Sequence, residues 1–174
     1  DELIDLEMKN AKINVKVEYK INEFYEDGKD QVEIFIKTNV GENENKLTQI
    51  ASGGEMSRIM LAIKKVLAEV DKMPIMIFDE IDTGISGKAA KSVASKLKSI
   101  SLNHQVLCIS HLAPIAAIAD YNYFISKKVE NERTSTEVKL LNEQEVLCEI
   151  ARISSGEINE VTLQYANDLR NRIA

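Results

Sequence analysis

The 174-residue sequence has no apolar run long enough to cross a bilayer. Its longest, around Pro74–Phe78 and Leu112–Ala119, fall far short of the ~20 residues a spanning helix needs. No N-terminal stretch follows the basic, apolar, small order of a signal peptide; a soluble chain is expected. Cysteine is scarce: Cys108 and Cys148 fit neither a metal-ligand spacing nor a disulfide framework. Both lie in apolar-periodic segments, so reduced, buried thiols in a cytosolic protein are expected. Positive charge is in the minority, with 22 Lys and Arg against 28 Asp and Glu and a net charge of −6. An acidic surface repels phosphate backbones, which argues against broad non-specific DNA binding by this piece. Aromatic and basic residues do not interleave, and Lys127-Lys128 is too short to be a patch. No internal repeat is visible. No G-x-x-x-x-G-K-[ST] loop exists either; the nearest imitation, Gly84–Ala89, has the wrong spacing and no hydroxyl after Lys88.

What is present is enough for a packed core: 44% of residues are apolar and 29% charged, which excludes disorder and fibrous repeats. The length suits one domain. Asp1–Asn10 reads as the end of a helix with no start signal. Period-2 alternation at Ile13, Val15, Val17, Tyr19 and Ile21 predicts a half-buried strand, and Gln31–Lys37 a second one. Asp27-Gly28 supplies hairpin turn chemistry between them; Gly41–Lys46 reads as a polar loop. The period then changes, and Ser57–Val70 is predicted to be an amphipathic helix. Ile75–Phe78 and Gln105–Ile109 are continuous apolar runs that suit strands buried on both faces. Helix Lys88–Ile100 falls between them. A short helix at Pro114–Ala119, strands at Tyr121–Ser126 and Thr134–Leu140, and helices at Glu143–Ile153 and Glu157–Ile173 complete the order. In the last helix Ile158, Val161, Tyr165, Leu169 and Ile173 align. Buried strands alternating with helices predict an α/β layer of parallel core strands, flanked by antiparallel strands and helices.

Three stretches carry chemistry. Ser52-Gly53-Gly54-Glu55 precedes a helix; its glycines allow backbone N–H groups to approach an anion, and the helix terminus adds partial positive charge. Alone, it reads equally well as a capped Ser-Gly-Gly loop. Asp79-Glu80 ends an apolar strand, where ligands of open α/β sheets gather. Asp79 suits a Mg²⁺ ion held through water, and Glu80 suits the polarisation of an attacking water. Alone, the pair reads as a strand end meeting solvent. Ser110-His111 follows the next apolar strand, at the same sheet edge, where a histidine can donate to a phosphate oxygen that gains charge. Alone, such a histidine is more often solvated. His104, in a polar loop, takes that bland reading.

Together, and in this order, the stretches resemble the C-terminal lobe of ABC-type ATPases. Ser52, Gly53, Gly54 and Glu55 match the signature motif, and Ile75–Glu80 the Walker B strand. Asp82, Thr83, Gly84 and Ser86 fall at the D-loop, and His111 at the switch histidine. Ser52–Lys64 (SGGEMSRIMLAIK), Ile77–Gly87 (IFDEIDTGISG) and Cys108–Lys127 (CISHLAPIAAIADYNYFISK) closely resemble the RecN family of bacterial DNA-repair proteins, relatives of the SMC chromosome proteins. The resemblance runs from about residue 8 to about residue 156. Three positions depart from ABC patterns. Ala51 stands where many signatures carry Leu, Glu55 where transporters often carry Gln, and Ser86 where SMC proteins end the D-loop with Asp. The last two suit a RecN-type chain.

The resemblance implies half of an ATPase head. In such proteins the P-loop lobe is N-terminal and separated from this lobe by a long coiled coil, so Asp1–Asn10 would be the last turns of that coil and residues 11–174 the C-terminal lobe. ATP and Mg²⁺ are the implied cofactors. Asp79, Glu80 and His111 would serve ATP held by the chain's own P-loop lobe, and Ser52–Glu55 would reach the γ-phosphate bound by a second head. The implied setting is double-strand break repair and recombination in the bacterial cytoplasm, at the nucleoid. DNA would be contacted through the full-length protein, and no membrane is involved. Another SMC-like chromosome-organising head is the second reading. An ABC transporter subunit ranks lower, because about 50 residues of strand and loop precede the signature. A non-enzymatic module with chance motifs ranks last. The lobe alone is expected to be inactive.

Overall fold

A computed structural model describes residues 1–19, 24, 26, 28–50, 53–67, 73–85, 87–130 and 133–173. The chain divides into two compact units, Asp1–Lys72 and Met73–Ala174. Among the described residues, no helix is long and apolar enough to cross a membrane.

The first unit begins with a helix shorter than the sequence suggests. Helix α1 covers only Glu2–Asp5, and Glu7 turns the chain with a φ of 60°. Strands β1 (Lys12–Tyr19) and β2 (Asp30–Lys37) form the expected antiparallel hairpin, in a register that pairs Ile13 with Ile36, Val15 with Ile34 and Val17 with Val32. The apolar residues therefore share one face. The supposed polar loop contributes a short third strand, β3 (Asn45–Lys46), paired to Phe35 and Ile36. Helix α2 (Gly53–Leu67) starts earlier than the apolar period indicates and takes both glycines into its first turn. Met8, Ile36 and Ile59 form the unit's buried cluster, with Leu3, Leu47 and Ile63 against it. The half-buried reading of β1 is corrected: all eight of its residues are exposed. The buried cluster reaches only the Ile36 end of the apolar ladder. Asp27, in the predicted turn, and the end of the predicted helix at Val70 lie outside the described residues.

In the second unit β4 (Ile75–Phe78) and β5 (Gln105–Cys108) pair in parallel, joined by α3 (Gly87–Ser101). Parallel pairing needs such a crossover. Ala90, Val93, Ala94, Leu97 and Ile100 give α3 the stripe that it buries. The expectation that both strands are buried on both faces fails. Met76 and Phe78 are buried, but Ile75, Ile77, Leu107 and Ile109 stand open, Ile77 at 69% exposure. Parallel strands of this apolar character are normally covered on both sides; here the described residues of the unit cover one.

Helix α4 (Ala113–Ile118) starts with proline in its first turn, where a missing N–H costs nothing. Strands β6 (Tyr123–Glu130) and β7 (Arg133–Leu140) form an antiparallel hairpin. Helix α5 (Glu143–Ser155) has a full capping box, with Asn142 and Glu145 exchanging side-chain and backbone hydrogen bonds of 3.0 Å, and it ends at Gly156 with a φ of 80°. Helix α6 (Glu160–Ile173) closes the chain. Ala113, Ala117, Val146, Ile150, Ala151, Ala166 and Leu169 form one cluster where α4, α5 and α6 meet. Among the described side chains of the aligned stripe, Leu169 joins it; Val161 and Tyr165 face solvent, and Leu163 and Ala166 take the inner positions. A small residue such as Ala166 lets the helices approach closely.

Candidate functional site

The site is built where two parallel strands end side by side. The N–H of Ile109 donates to the carbonyl of Phe78 at 2.9 Å, so the chains leaving β4 and β5 emerge together. Asp79 and Glu80 follow β4 directly and are both exposed. Glu80 adopts the left-handed region with a φ of 53°, a conformation uncommon outside glycine, asparagine and aspartate. The turn closes through Thr83 N–H donating to the Glu80 carbonyl at 3.1 Å, with Gly84 at a φ of 72°. Ile81, fully buried, anchors this turn.

Asp82 is the centre of the arrangement. It is 2% exposed, and its Oδ2 accepts from Ser110 Oγ at 2.5 Å and from the His111 backbone N–H at 2.8 Å. His111 Nδ1 lies 3.1 Å from the same oxygen. Ser110 Oγ also accepts from Leu112 N–H at 3.0 Å, which leaves its own proton for Asp82. One carboxylate therefore ties the loop after β4 to the loop after β5. The His111 ring itself stands in solvent. It borders a groove of about 510 Å³ lined also by Gly87, Lys91, Pro114, Val161 and Tyr165.

Cys108 lies nearby at the end of β5. Burial, followed by the fields of Asp82 and Asp79, pushes its thiol up to about 12. A thiol so placed stays protonated at neutral pH and is a poor nucleophile. The two cysteines are free and half-buried rather than fully buried. His104 corrects the bland reading given to it. It is 8% exposed, with Nδ1 2.7 Å from the Met73 carbonyl, and links the start of β5 to the approach of β4.

The structure thus brings Asp79, Glu80, Asp82 and His111 to one strand edge. Thr83 and Gly84 are exposed beside them. Gly53, Gly54 and Glu55 occupy the first turn of α2 in the first unit. Gly53 is exposed, with open space where a Cβ would stand. Burial pulls Arg58, one turn along, below its usual value, and the charge of Glu55 opposes that shift. Ser52 and Ser86 lie outside the described residues. Among the described residues no three His, Cys, Asp or Glu side chains converge as a metal-binding group. The tie between Asp82 and Ser110 escapes reasoning from motifs; its one sequence signal is a carboxylate directly after Ile81 in an apolar setting.

No protein-family model matches the chain. It is 47% identical over 147 residues to the DNA repair protein RecN of Halalkalibacterium halodurans, covering 84% of this chain and 26% of that one. The RecN of Bacillus subtilis is 44% identical over 145 residues, 83% of this chain and 25% of the relative. The RecN of Rickettsia typhi is 38% identical over 174 residues, 99% of this chain and 31% of the relative. The chain therefore spans roughly a quarter to a third of the length of these relatives. Among solved structures, the Smc head domain with a coiled coil and joint from Pyrococcus yayanosii matches 88% of this chain and 28% of its own, with a TM-score of 0.60 at 20% identity. A chain solved in work on ATP-driven dimerization and DNA-stimulated activation of SMC ATPases matches 89% of this chain and 92% of its own, with a TM-score of 0.51 at 19% identity. These likenesses show the fold, that of a partial SMC-type head.

Proposed function

We propose that this chain, RecN-like in sequence and built as a lobe of an SMC-type head, is the C-terminal half of an ATP-hydrolysing head that acts in DNA double-strand break repair and recombination. The observation that carries the reading is the meeting of Asp79-Glu80 and Ser110-His111 at the ends of adjacent parallel strands. Open α/β sheets place their reacting groups at this edge.

In this reading Asp79 holds a divalent cation through water. Mg²⁺ keeps several waters and takes phosphate oxygens, so one carboxylate from the protein suits it where a dedicated cage would not be needed. Bound Mg²⁺–ATP supplies the phosphoanhydride and neutralises charge on its phosphates. Glu80 orients the attacking water and accepts its proton. His111 faces the γ-phosphate. Gly53, Gly54 and Glu55, with Ser52, offer the α2 terminus to the nucleotide held by a second head; the open space over Gly53 favours that use. Thr83, Gly84 and Ser86 form the D-loop facing that head. Asp82 belongs to the same loop, but its side chain turns inward.

The P-loop lobe is the partner this chain needs, and the open apolar residues Ile75, Ile77, Leu107 and Ile109 support a surface for it. The expectation that Asp1–Asn10 forms the last turns of a coiled coil narrows to the single turn Glu2–Asp5, since Glu7 turns the chain beyond it. DNA is engaged by the full-length protein, which works in the bacterial cytoplasm at the nucleoid. The test mixes this chain with its P-loop lobe and measures ATP hydrolysis. Activity is expected only in the mixture, falling at least ~100-fold with Glu80→Gln. A folded, ATP-binding mixture that stays inactive, or turnover by this chain alone that Glu80→Gln abolishes, sinks the reading.

A further inference from the structure

Beneath the exposed His111 ring lies a set of contacts that has no part in the chemistry proposed above. Asp82 is 2% exposed, and its Oδ2 takes two hydrogen bonds from the loop after β5, from Ser110 Oγ at 2.5 Å and from the His111 backbone N–H at 2.8 Å. Ser110 Oγ accepts in turn from the Leu112 N–H at 3.0 Å. Residues 110 to 112 are thus gathered on one carboxylate, which follows Glu80 by two positions. The turn that carries it is closed by Thr83 N–H donating to the Glu80 carbonyl. The His111 side chain, by contrast, is 76% exposed. A side chain with so little around it takes its place from its backbone, and that backbone is fastened to Asp82. A buried acceptor stripped of its donors is costly, so the clasp holds.

We propose that Asp82 is a positioning residue: by accepting from Ser110 Oγ and from the His111 backbone N–H, it holds the His111 loop beside the Glu80 turn and acts on ATP hydrolysis through where His111 stands. The rate consequence rests on the ATPase reading; the clasp does not. A displacement of about 1 Å at a reacting group costs about 100-fold in rate, so a buried residue behind it has leverage. The role belongs to the acceptor oxygen and not to the charge, which separates Asp82 from Asp79 and Glu80. It also commits the Asp82 side chain within its own chain, whereas Thr83 and Gly84 stand exposed.

The experiment has two readouts. In the chain itself, residue-resolved amide exchange follows the His111 N–H, with the Ile109 N–H, which donates to the Phe78 carbonyl, reporting that the strands stay paired. Both are expected to be protected in the wild type. Asp82→Ala is expected to strip His111 of protection and leave Ile109 protected. Asp82→Asn, which keeps an acceptor oxygen, is expected to keep both. A His111 amide that exchanges freely in the wild type, or that stays protected in Asp82→Ala, overturns the clasp. In the mixture with the P-loop lobe, Asp82→Ala is expected to lower kcat at least ~tenfold with little change in KM, and Asp82→Asn to recover most of that loss. On a His111→Ala background, Asp82→Ala is expected to cost less than ~twofold more, because residues that act as a unit are not additive. An additive loss there, an Asp82→Asn as slow as Asp82→Ala, or a His111→Ala mixture at full kcat overturns the positioning role. If Asp82→Ala loses the Ile109 amide as well, Ser110→Ala decides in its place: its loss of kcat is expected to vanish on the His111→Ala background, and a loss that persists overturns the role. A wild-type mixture that hydrolyses no ATP overturns the ATPase reading and the rate consequence with it, while the exchange result stands.

Discussion

Within the second unit, the corner formed by α4, α5 and α6 and the sheet formed by β4 and β5 are equally apolar and differently finished. In the corner Ala113, Val146, Ile150, Ala166 and Leu169 close on one another. In the sheet, Met76 and Phe78 face inward, while Ile75, Ile77, Leu107 and Ile109 face out with nothing described over them. The β6/β7 hairpin repeats the pattern, with Tyr123, Ile125 and Val138 exposed. Helices here satisfy their apolar stripe against each other, whereas a parallel strand has two apolar faces and the described residues of this unit cover one. Among the described residues the corner is thus closed, and the sheet keeps one apolar face open.

Substitutions can test that contrast. The largest expected effect on stability is in the corner. Ile150, fully buried, should cost about 2–5 kcal/mol when cut to Ala, read by urea denaturation of the chain. A cost below ~1 kcal/mol would show that the corner is loosely packed and that the contrast is false. Next is the end of α5. Asn142→Ala removes the capping box and should cost about 1 kcal/mol, seen as a lower midpoint with the same denaturant slope. The smallest effect belongs to the open sheet face. Ile77→Asn should change the stability of the chain alone by less than ~0.5 kcal/mol while weakening its association with the P-loop lobe, measured by titration calorimetry. A large loss of stability in the isolated chain would mean that Ile77 is covered in solution and that the face is not free.

The legible and illegible parts of this molecule divide along the same line. Helices α3, α4 and α5 stand close to where the apolar period and Pro114 put them, because each buries its stripe against neighbours from the same chain. The paired strand ends of the candidate site follow from Ile75–Phe78 and Gln105–Cys108 being read as parallel strands. The exposure of Ile77 and Val17 could not be read, since burial depends on what lies over a strand and not on the strand's own pattern. The stripe of α6 differs from the expected one because the helix turns Leu163 and Ala166 toward α4 and α5 and leaves Val161 and Tyr165 outside, a rotation that periodicity alone does not set. His104 looked solvated because its partner, the Met73 carbonyl, is 31 positions away. Asp82 falls at the D-loop by sequence, and nothing local shows that Ser110 and the His111 backbone close on it. Short-range chemistry is legible in a sequence; a hydrogen bond across two loops is a product of the fold.

The backbone at Glu80 carries a lesson about design. A chain chosen only for how well it folds would place Gly or Asn at a φ of 53°, since left-handed geometry costs most other residues about 1 kcal/mol. Local conformational preference therefore does not account for the residue found there. Such a disagreement between side chain and backbone marks a position to test rather than a role, since Glu7 shows it too, at a φ of 60°, outside the candidate site. At this strand edge that disagreement falls on one of the two carboxylates, and Asp79 beside it shows none.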